Sequence, residues 1–357
     1  MKLVANTADL IAALKTVTPA VAKGASLPGL HGVHITAEGT RVALTCTNLD
    51  LRISDGFDVM VVDEPGTVIV PAAALLRIAI AADSDDITFA TTDDGDVNIA
   101  GGSINAGLRT IPADTWPAEQ TFTDSDPIEL GPNVVDAIGR VAHAASADMS
   151  RPALTGVRFA GRYIAATDSY RAAWIDDVGA DIPETTVPAS AVKIVLDVAD
   201  SGSVIFEAFD KLARFTIGDT VITTNVIASD FPNLAPLIPT DERINHTATV
   251  DKAALLATLK RATAIDGSDP VATFSLDDGS LSIRRVEADI GTLEVATDAT
   301  LVGEPIKFNL SIRYLTDVLN SYVDDSVVFE LQDDLKPLRF IDEQVGHLVM
   351  PVRGGSR

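Results

Sequence analysis

The sequence predicts an α+β fold in which one unit, with two helices on one face of antiparallel sheets, occurs three times in tandem. The first observation is a repeated stretch. Residues 151–175, RPALTGVRFAGRYIAATDSYRAAWI, have looser copies at 27–54 and 270–297. The second is that three segments of roughly 120 residues show the same order of elements, and a repeat of that length is a domain rather than a solenoid turn. Each copy is predicted to hold two helices and about eight short strands.

The helices are predicted from the spacing of apolar residues. In the first of them Leu10, Leu14 and Val17 recur at helical spacing. Thr7 is a suitable N-cap, and Pro19 is expected to end or bend the helix. The predicted helical windows are 7–23, 71–82, 133–146, 189–200, 251–265 and 311–322.

The strands of the repeated stretch are predicted to form a hairpin that ends in a polar cluster. Its break at 160–162 is short enough for a tight turn, and its second arm runs into Thr-Asp-Ser-Tyr-Arg at 167–171. Cys46 alternates with Val42 and Leu44, which is typical of a strand residue that faces the core.

Polar links divide the three copies. They lie at 118–126 and 239–246 and are rich in Pro, Asp and Thr. The predicted domains are therefore 1–120, 127–243 and 246–353.

The composition is that of a globular protein. Hydrophobic residues make up 46% and charged residues 22% of the chain. No apolar run approaches the roughly 18 residues needed to span a bilayer, and Asp9 stands where a signal peptide would have its apolar core. The single cysteine excludes an internal disulfide framework. A cytoplasmic location is expected.

The charge of the chain is unevenly distributed. The net charge is −24, which taken alone argues against a nucleic-acid partner. The six helical windows nevertheless hold nine basic and six acidic residues, so they sum to +3 and the remainder to −27. Either these are ordinary solvated helix faces, or equivalent helices present a weakly positive surface that holds a phosphate backbone without sequence choice.

The sequence shows no catalytic constellation. It has no Gly-rich phosphate loop and no GxSxG, and its five histidines fall in different segments, which disfavours a zinc site. Asp168, Ser169 and Tyr170 are conceivable as acid, nucleophile and proton donor, but a polar strand end held by structural hydrogen bonds is favoured. No enzyme activity, metal or cofactor is predicted.

Several short motifs, in order along the chain, resemble those of one family. They are LPGL at 27–30, RPALTGV at 151–157, ATDSYR at 166–171, DFPNL at 230–234 with LIP at 237–239, KPL at 336–338 and MPVR at 350–353. Each motif is weak alone, but their joint order and spacing resemble the bacterial replicative sliding clamps, the beta subunits of DNA polymerase III.

The resemblance implies a DNA polymerase processivity factor. It implies a head-to-tail homodimeric ring of clamp domains whose helices line a hole around duplex DNA. The ring would stay on the DNA because the DNA passes through it, not because it binds the DNA tightly. The implied partners are double-stranded DNA without sequence choice, replicative and repair polymerases and the clamp loader, and the implied location is on the nucleoid. The residues expected to face DNA are Lys15, Lys23, Arg77, Arg140, Arg151, Lys193, Lys260, Arg261 and Arg313.

The resemblance also implies a groove for partner peptides between the second and third domains. Its residues here would be Leu154, Thr167, Ser169, Tyr170, Arg171, Ala172, Pro239, Leu348, Met350, Pro351, Val352 and Arg353. Their apolar members suit leucine or phenylalanine anchors, and Arg171 and Arg353 are expected to fix the peptide's polar groups. Tyr170 and Ala172 stand where the family commonly has histidine and leucine.

The ring interface is expected where the last strand of the first domain meets the third domain. The residues implied are Ile104, Ala106 and Leu108 on one side, and Ala264 and Ile265 on the other. The alternative function is an acidic clamp-like scaffold or decoy that binds proteins and does not encircle DNA.

Overall fold

The computed structural model describes residues 1–24, 27–59, 61–119, 126–265, 271–287 and 289–353. The fold of this part of the chain is α+β with antiparallel strand pairs, as predicted. The α-helices are Thr7–Val17 (α1), Ala72–Ala81 (α2), Pro132–Ala142 (α3), Ala189–Ala199 (α4), Lys252–Ala262 (α5) and Ile312–Ser321 (α6). Each lies within or overlaps one of the predicted helical windows.

The strands follow the same order in each third of the chain. In the first third they are Lys2–Asn6 (β1), Gly32–Glu38 (β2), Arg41–Thr47 (β3), Leu51–Asp58 (β4), Val61–Glu64 (β5), Gly66–Pro71 (β6), Asp86–Thr91 (β7), Val97–Gly101 (β8) and Ile104–Leu108 (β9). In the second they are Ile128–Leu130 (β10), Gly156–Gly161 (β11), Tyr163–Thr167 (β12), Arg171–Ile175 (β13), Ile182–Pro188 (β14), Val204–Phe209 (β15), Leu212–Ile217 (β16) and Thr220–Asn225 (β17). In the third they are His246–Asp251 (β18), Val271–Asp277 (β19), Gly279–Glu287 (β20), Gly291–Val302 (β21), Ile306–Ser311 (β22), Ser326–Leu331 (β23), Leu338–Asp342 (β24) and Val345–Val349 (β25). The order strand, helix, four strands, helix, three strands occurs three times, and β5 is an addition in the first copy.

The N-cap residue of α1 is one residue earlier than predicted. The side chain of Asn6, not Thr7, accepts hydrogen bonds from the backbone N–H groups of Ala8 (2.9 Å) and Asp9 (3.3 Å). Thr7 is the first helical residue, and its hydroxyl is buried without a hydrogen-bond partner among the described residues. The helix ends at Val17, just before Pro19, as the missing proline N–H requires.

The chain divides into two compact units. Unit 1 is Met1–Pro132 with Ser190–Val226, and unit 2 is Asn133–Ala189 with the described residues from Ile227 onward. Unit 1 holds a five-stranded sheet of order β5-β1-β7-β8-β9 and an eight-stranded sheet of order β10-β15-β16-β17-β4-β3-β2-β6. Unit 2 holds a twelve-stranded sheet of order β14-β11-β12-β13-β25-β24-β23-β18-β21-β20-β19-β22. The strands of the second third are thus shared between the two units.

The same junction between copies occurs once in each unit. In unit 1 the last strand of the second copy, β17, pairs with β4 of the first, and Thr224 lies opposite Leu51. In unit 2 the last strand of the third copy, β25, pairs with β13 of the second, and Val349 lies opposite Arg171. Each junction therefore joins the third strand after a copy's first helix to the last strand of the next copy.

Candidate functional site

The polar cluster that follows β12 is a tight turn held by its own side chains. The Thr167 hydroxyl donates to the Arg171 carbonyl oxygen (2.6 Å), and the Asp168 carboxylate accepts from the backbone N–H groups of Tyr170 (2.8 Å) and Arg171 (2.9 Å). Ser169 has φ +79°, a left-handed conformation that is rare for a non-glycine residue. These hydrogen bonds form the structural network that the sequence favours over catalytic roles for Asp168, Ser169 and Tyr170.

The guanidinium of Arg171 is engaged inside unit 2. It donates to the carboxylate of Asp168 (3.0 Å), forms an ion pair with Asp317 of α6, and lies 4.7 Å from the ring centroid of Tyr314. Its side chain is only 9% exposed. In this structure Arg171 ties the turn to α6, and its contact with a peptide's polar groups stays a prediction.

The chain after β25 lies along this turn. The backbone N–H of Met350 donates to the Tyr170 carbonyl oxygen, and that of Val352 donates to the Asn309 carbonyl oxygen, both at 2.8 Å. β25 itself pairs with β13 on one side and β24 on the other. The final strand is thus part of its sheet while the residues after it border the turn.

An apolar cluster lies beside the turn on the same strands. Ala172 of β13 pairs with Leu348 of β25, and both are buried. The cluster comprises Ala165, Ala172, Trp174, Leu234 and Leu348, with Tyr163, Phe231 and Ile238 packed against it. Leu154, Thr167 and Pro239 are also buried, whereas Ser169, Tyr170 and Arg353 are exposed, and Met350 and Pro351 are half-buried. We call Leu154, the turn 167–172, Pro239 and residues 348–353 the partner groove.

Three residues near the partner groove were not predicted from the sequence. Asp317 and Tyr314 of α6 hold Arg171, and only the fold brings them to the turn. Met149 is 76% exposed and lies two residues before Arg151, whose guanidinium donates to the Ser169 hydroxyl (3.3 Å). A methionine in the polar segment ASADMSR was the available signal, because exposed methionines often mark adaptable binding surfaces.

Comparison with known families accounts for nearly the whole chain. Residues 1–120 match the N-terminal domain of the DNA polymerase III beta subunit, 131–233 match its central domain and 236–353 match its C-terminal domain. The chain belongs to the DNA polymerase III beta subunit family. This membership agrees with the resemblance seen in the sequence motifs and with the expectation of a protein that is not an enzyme.

Individual relatives are distant but match along their full length. The beta sliding clamp of a Synechocystis species is 27% identical, with 99% of each chain covered, and that of Staphylococcus aureus is 25% identical, with 96% of this chain and 97% of the relative covered. The crystal structure of a DnaN sliding clamp from Bartonella birtlesii superposes with a TM-score of 0.92 at 24% identity, covering 99% of this chain and all of that one. The DNA polymerase sliding clamp of Caulobacter crescentus gives a TM-score of 0.88 at 25% identity and the same coverage.

Most of the cations expected to face DNA in this beta-subunit chain are accessible. Seven are exposed and form no ion pair with the described residues: Lys15, Lys23, Arg77, Arg151, Lys260, Arg261 and Arg313. Lys193 is exposed but bonds to Asp197 one helical turn away (2.8 Å). Accessible, unpaired cations are the kind that contact phosphates at little desolvation cost.

Arg140 is the exception among these cations. Its side chain is 11% exposed, and it forms ion pairs with the carboxylates of Asp342 and Glu343. It also donates to the backbone oxygen of Ser321 (3.1 Å). The donors of Arg140 are thus used within unit 2, and a role for it facing DNA stays a prediction.

The residues expected at a ring interface lie at two separate places. Ile104, Ala106 and Leu108 belong to β9, which is the last strand at one edge of the five-stranded sheet. Ala264 is exposed and Ile265 half-buried just after α5. The buried guanidinium of Arg285 donates to the backbone oxygens of Ala262 (3.3 Å) and Ile265, and so fixes the end of α5.

The described part of the chain has neither a cluster of side chains placed for a metal ion nor a helix that could span a membrane. No group of three or more His, Cys, Asp or Glu side chains is placed there to hold a metal ion. None of its helices has the length and apolarity needed to cross a membrane.

Proposed function

We propose that this beta-subunit chain is the DNA polymerase processivity factor of its cell or phage. Two copies would form a ring that encircles duplex DNA and tethers replicative and repair polymerases through the partner groove. Domains at 1–120, 127–243 and 246–353 would each supply two helices to the lining. The observation that carries the proposal is the repeated junction between copies, which the described residues make twice and leave open once.

The open junction has complementary halves. By the pattern of β4 with β17 and β13 with β25, the last strand of the first copy, β9, should pair with β21 of the third. Among the described residues β9 pairs only with β8, and residues 291–299 of β21 pair only with β20. Each strand therefore has an unpaired backbone edge that can accept another strand. Two chains joined head to tail would satisfy both edges at both ends and close a ring.

A ring reconciles the acidic composition with a DNA partner. The exposed helix cations are few, so contacts with phosphates would be weak and the protein could slide. Long residence would come from topological linkage. We place the protein in the cytoplasm on the nucleoid, with a clamp loader to open the ring, because a closed ring cannot thread onto circular DNA unaided.

The dimer and its retention on DNA are tested together. The mass by light scattering should be near twice 37.5 kDa, and protein loaded on nicked circular DNA should be released when the circle is linearised. Leu108→Asp on β9 should give monomers and abolish retention, because a charge would be placed in the strand interface. Val61→Asp, on the exposed β5 at the opposite edge of the same sheet, is the matched control and should remain dimeric. A dimeric Leu108→Asp variant would contradict the proposed interface.

The partner groove is tested with an exposed residue, so that stability is preserved. Tyr170 is 58% exposed, and Tyr170→Ala should weaken binding of a fluorescent peptide from the host polymerase about tenfold, as aromatic anchors commonly do. Phe209→Ala removes another exposed aromatic, in unit 1, and should leave binding unchanged. Equal affinities of the two variants would show that the peptide binds elsewhere.

The alternative, an acidic scaffold that binds proteins without encircling DNA, is not favoured by the family membership. It would bind the peptide normally and show no difference between nicked circles and linear DNA. The same two experiments therefore separate the two functions.

A further inference from the structure

The turn at the edge of the partner groove has a second copy in unit 1. There the Thr47 hydroxyl donates to the Leu51 carbonyl oxygen (3.0 Å), and the Asn48 side chain accepts from the backbone N–H groups of Asp50 (3.0 Å) and Leu51 (2.8 Å). Leu49 has φ +81°, as Ser169 has +79°. The turn 47–51 therefore reproduces the hydrogen bonds that close the turn 167–171, except the one from the Arg171 side chain, where Leu51 stands.

The strand beside this second turn is also equivalent. The backbone N–H of Asn225 donates to the Asp50 carbonyl oxygen (2.9 Å), as that of Met350 does to Tyr170. The cross-strand pair of residues next to the turn differs in chemistry, however. The pair Arg52 and Thr223 stands where the partner groove has Ala172 and Leu348.

Arg52 lines a cavity of about 540 Å³ within unit 1. Its guanidinium lies 5.7 Å from the ring centroid of Trp116, and the His34 ring stacks on Trp116 at 5.0 Å. Within the described ranges the side chain of Arg52 makes no hydrogen bond or ion pair, while its backbone lies in β4. The remaining walls are mixed. Val68, Ile69, Ile111 and Pro112 are apolar, and Thr67, Thr110 and Glu119 are polar.

We propose that this cavity is a second peptide-binding site, for a short segment in which a carboxylate side chain neighbours an apolar one. The carboxylate would pair with Arg52, whose planar guanidinium suits bidentate recognition, and the apolar side chain would lie against Ile69 and Ile111. An unpaired cation in a concave site of a chain with net charge −24 selects an anion. The partner groove, with Ala172 and Leu348 at the same position, selects an apolar residue instead.

The charged groups around the cavity are consistent with this assignment. Burial, followed by the charge of Arg52, lowers the pKa of His34, while Glu119 raises it. At neutral pH the imidazole is therefore neutral, and Arg52 is the cation that faces the ligand. Glu119 disfavours a second negative charge, so a single carboxylate is expected rather than an acidic run.

The test uses the two tryptophans of the full chain as separate reporters. With 5-fluorotryptophan incorporated, fluorine NMR gives one signal each for Trp116 and Trp174, assigned with Trp174→Phe. Acetyl-Leu-Ala-Asp-Leu-amide should shift the Trp116 signal saturably, and any change of the Trp174 signal reports the partner groove separately. The isosteric Asn peptide should bind at least tenfold more weakly, because it cannot form the ion pair.

Variants decide whether Arg52 is responsible. Arg52→Gln should abolish the preference for the Asp peptide, whereas Arg109→Gln, which removes an exposed cation of the same unit, should retain it. The proposal is overturned if neither peptide saturates, if both bind equally, or if Arg52→Gln still prefers the Asp peptide. Saturation by thymidine 5′-monophosphate but not by peptide would assign the site to a nucleotide. Because the monomeric Leu108→Asp variant should give the same titration, the result is independent of ring formation.

Discussion

Arg140→Met is expected to lower the free energy of unfolding by about 3–5 kcal/mol, the cost of leaving a buried charge without its partner. The carboxylate of Asp342 is 0% exposed, and Arg140 is its only ion-pair partner among the described residues. The other contacts of that carboxylate are the backbone N–H groups of Val323 (2.6 Å) and Asp324 (3.1 Å), which cannot neutralise it. The variant would also leave the backbone oxygen of Ser321 without the Arg140 donor.

The measurement is urea unfolding followed by the fluorescence of Trp174, which lies in the same unit as Arg140. Lys260→Met is the matched control, because it removes an exposed helix cation of the same unit that forms no ion pair with the described residues, and it should cost less than about 1 kcal/mol. Adding Asp342→Asn to Arg140→Met should recover part of the loss, since the amide removes the stranded charge. Equal losses for the arginine and lysine variants would show that the Asp342 site is solvated.

The helices of this fold could be predicted from the sequence because the signal is local. The apolar spacing of Leu10, Leu14 and Val17 is enough to place α1. The predicted N-cap, Thr7, is wrong by one residue, because its neighbour Asn6 is an equally suitable cap. The repeated order of elements could likewise be read along the chain. The sharing of the second copy's strands between two units could not, because it depends on pairings such as β4 with β17 that join distant segments.

The roles of the arginines could not be predicted for the same reason. Arg171 meets Asp317, 146 residues away, and Arg140 meets Asp342, 202 residues away. A count of charges in a helical window treats Arg140 as free, and the expectation of a peptide contact treats Arg171 as free, whereas both are paired with carboxylates of the third copy. The seven cations that are both exposed and without an ion pair are those for which the local interpretation suffices, because no distant carboxylate reaches them in the described part of the chain.

A histidine pair near the same ion pairs has neutral rings at pH 7. The rings of His143, just after α3, and His347, in β25, stack with centroids 5.5 Å apart. All four ring nitrogens are buried without a hydrogen-bond partner among the described residues. Burial lowers the pKa of His143 to about 4, with Arg171 adding to the effect and Asp317 opposing it. Burial, His143 and Arg140 hold the pKa of His347 well below its usual value.

Acid should therefore destabilise the protein through this pair. In the unfolded chain both histidines take up a proton near pH 6.5, while the folded state resists protonation until about pH 4 for His143. Since the unfolded state binds more protons in that window, stability is fully present above pH 6.5 and falls as the pH drops toward 4. At about 1.4 kcal/mol per pKa unit, His143 alone accounts for a loss of about 3 kcal/mol.

The contribution of the pair is isolated by comparing variants, because carboxylates also titrate at the lower end of this range. The free energy of unfolding in urea would be measured from pH 7.5 to 4.5 for the natural chain, for His143→Leu with His347→Phe, and for His246→Gln as a control outside the pair. The double variant should lose less stability than the natural chain over this range, and the control should follow the natural chain. Parallel curves for all three would mean that the two imidazoles accept protons in the folded state as readily as in water, which their burial and missing partners argue against.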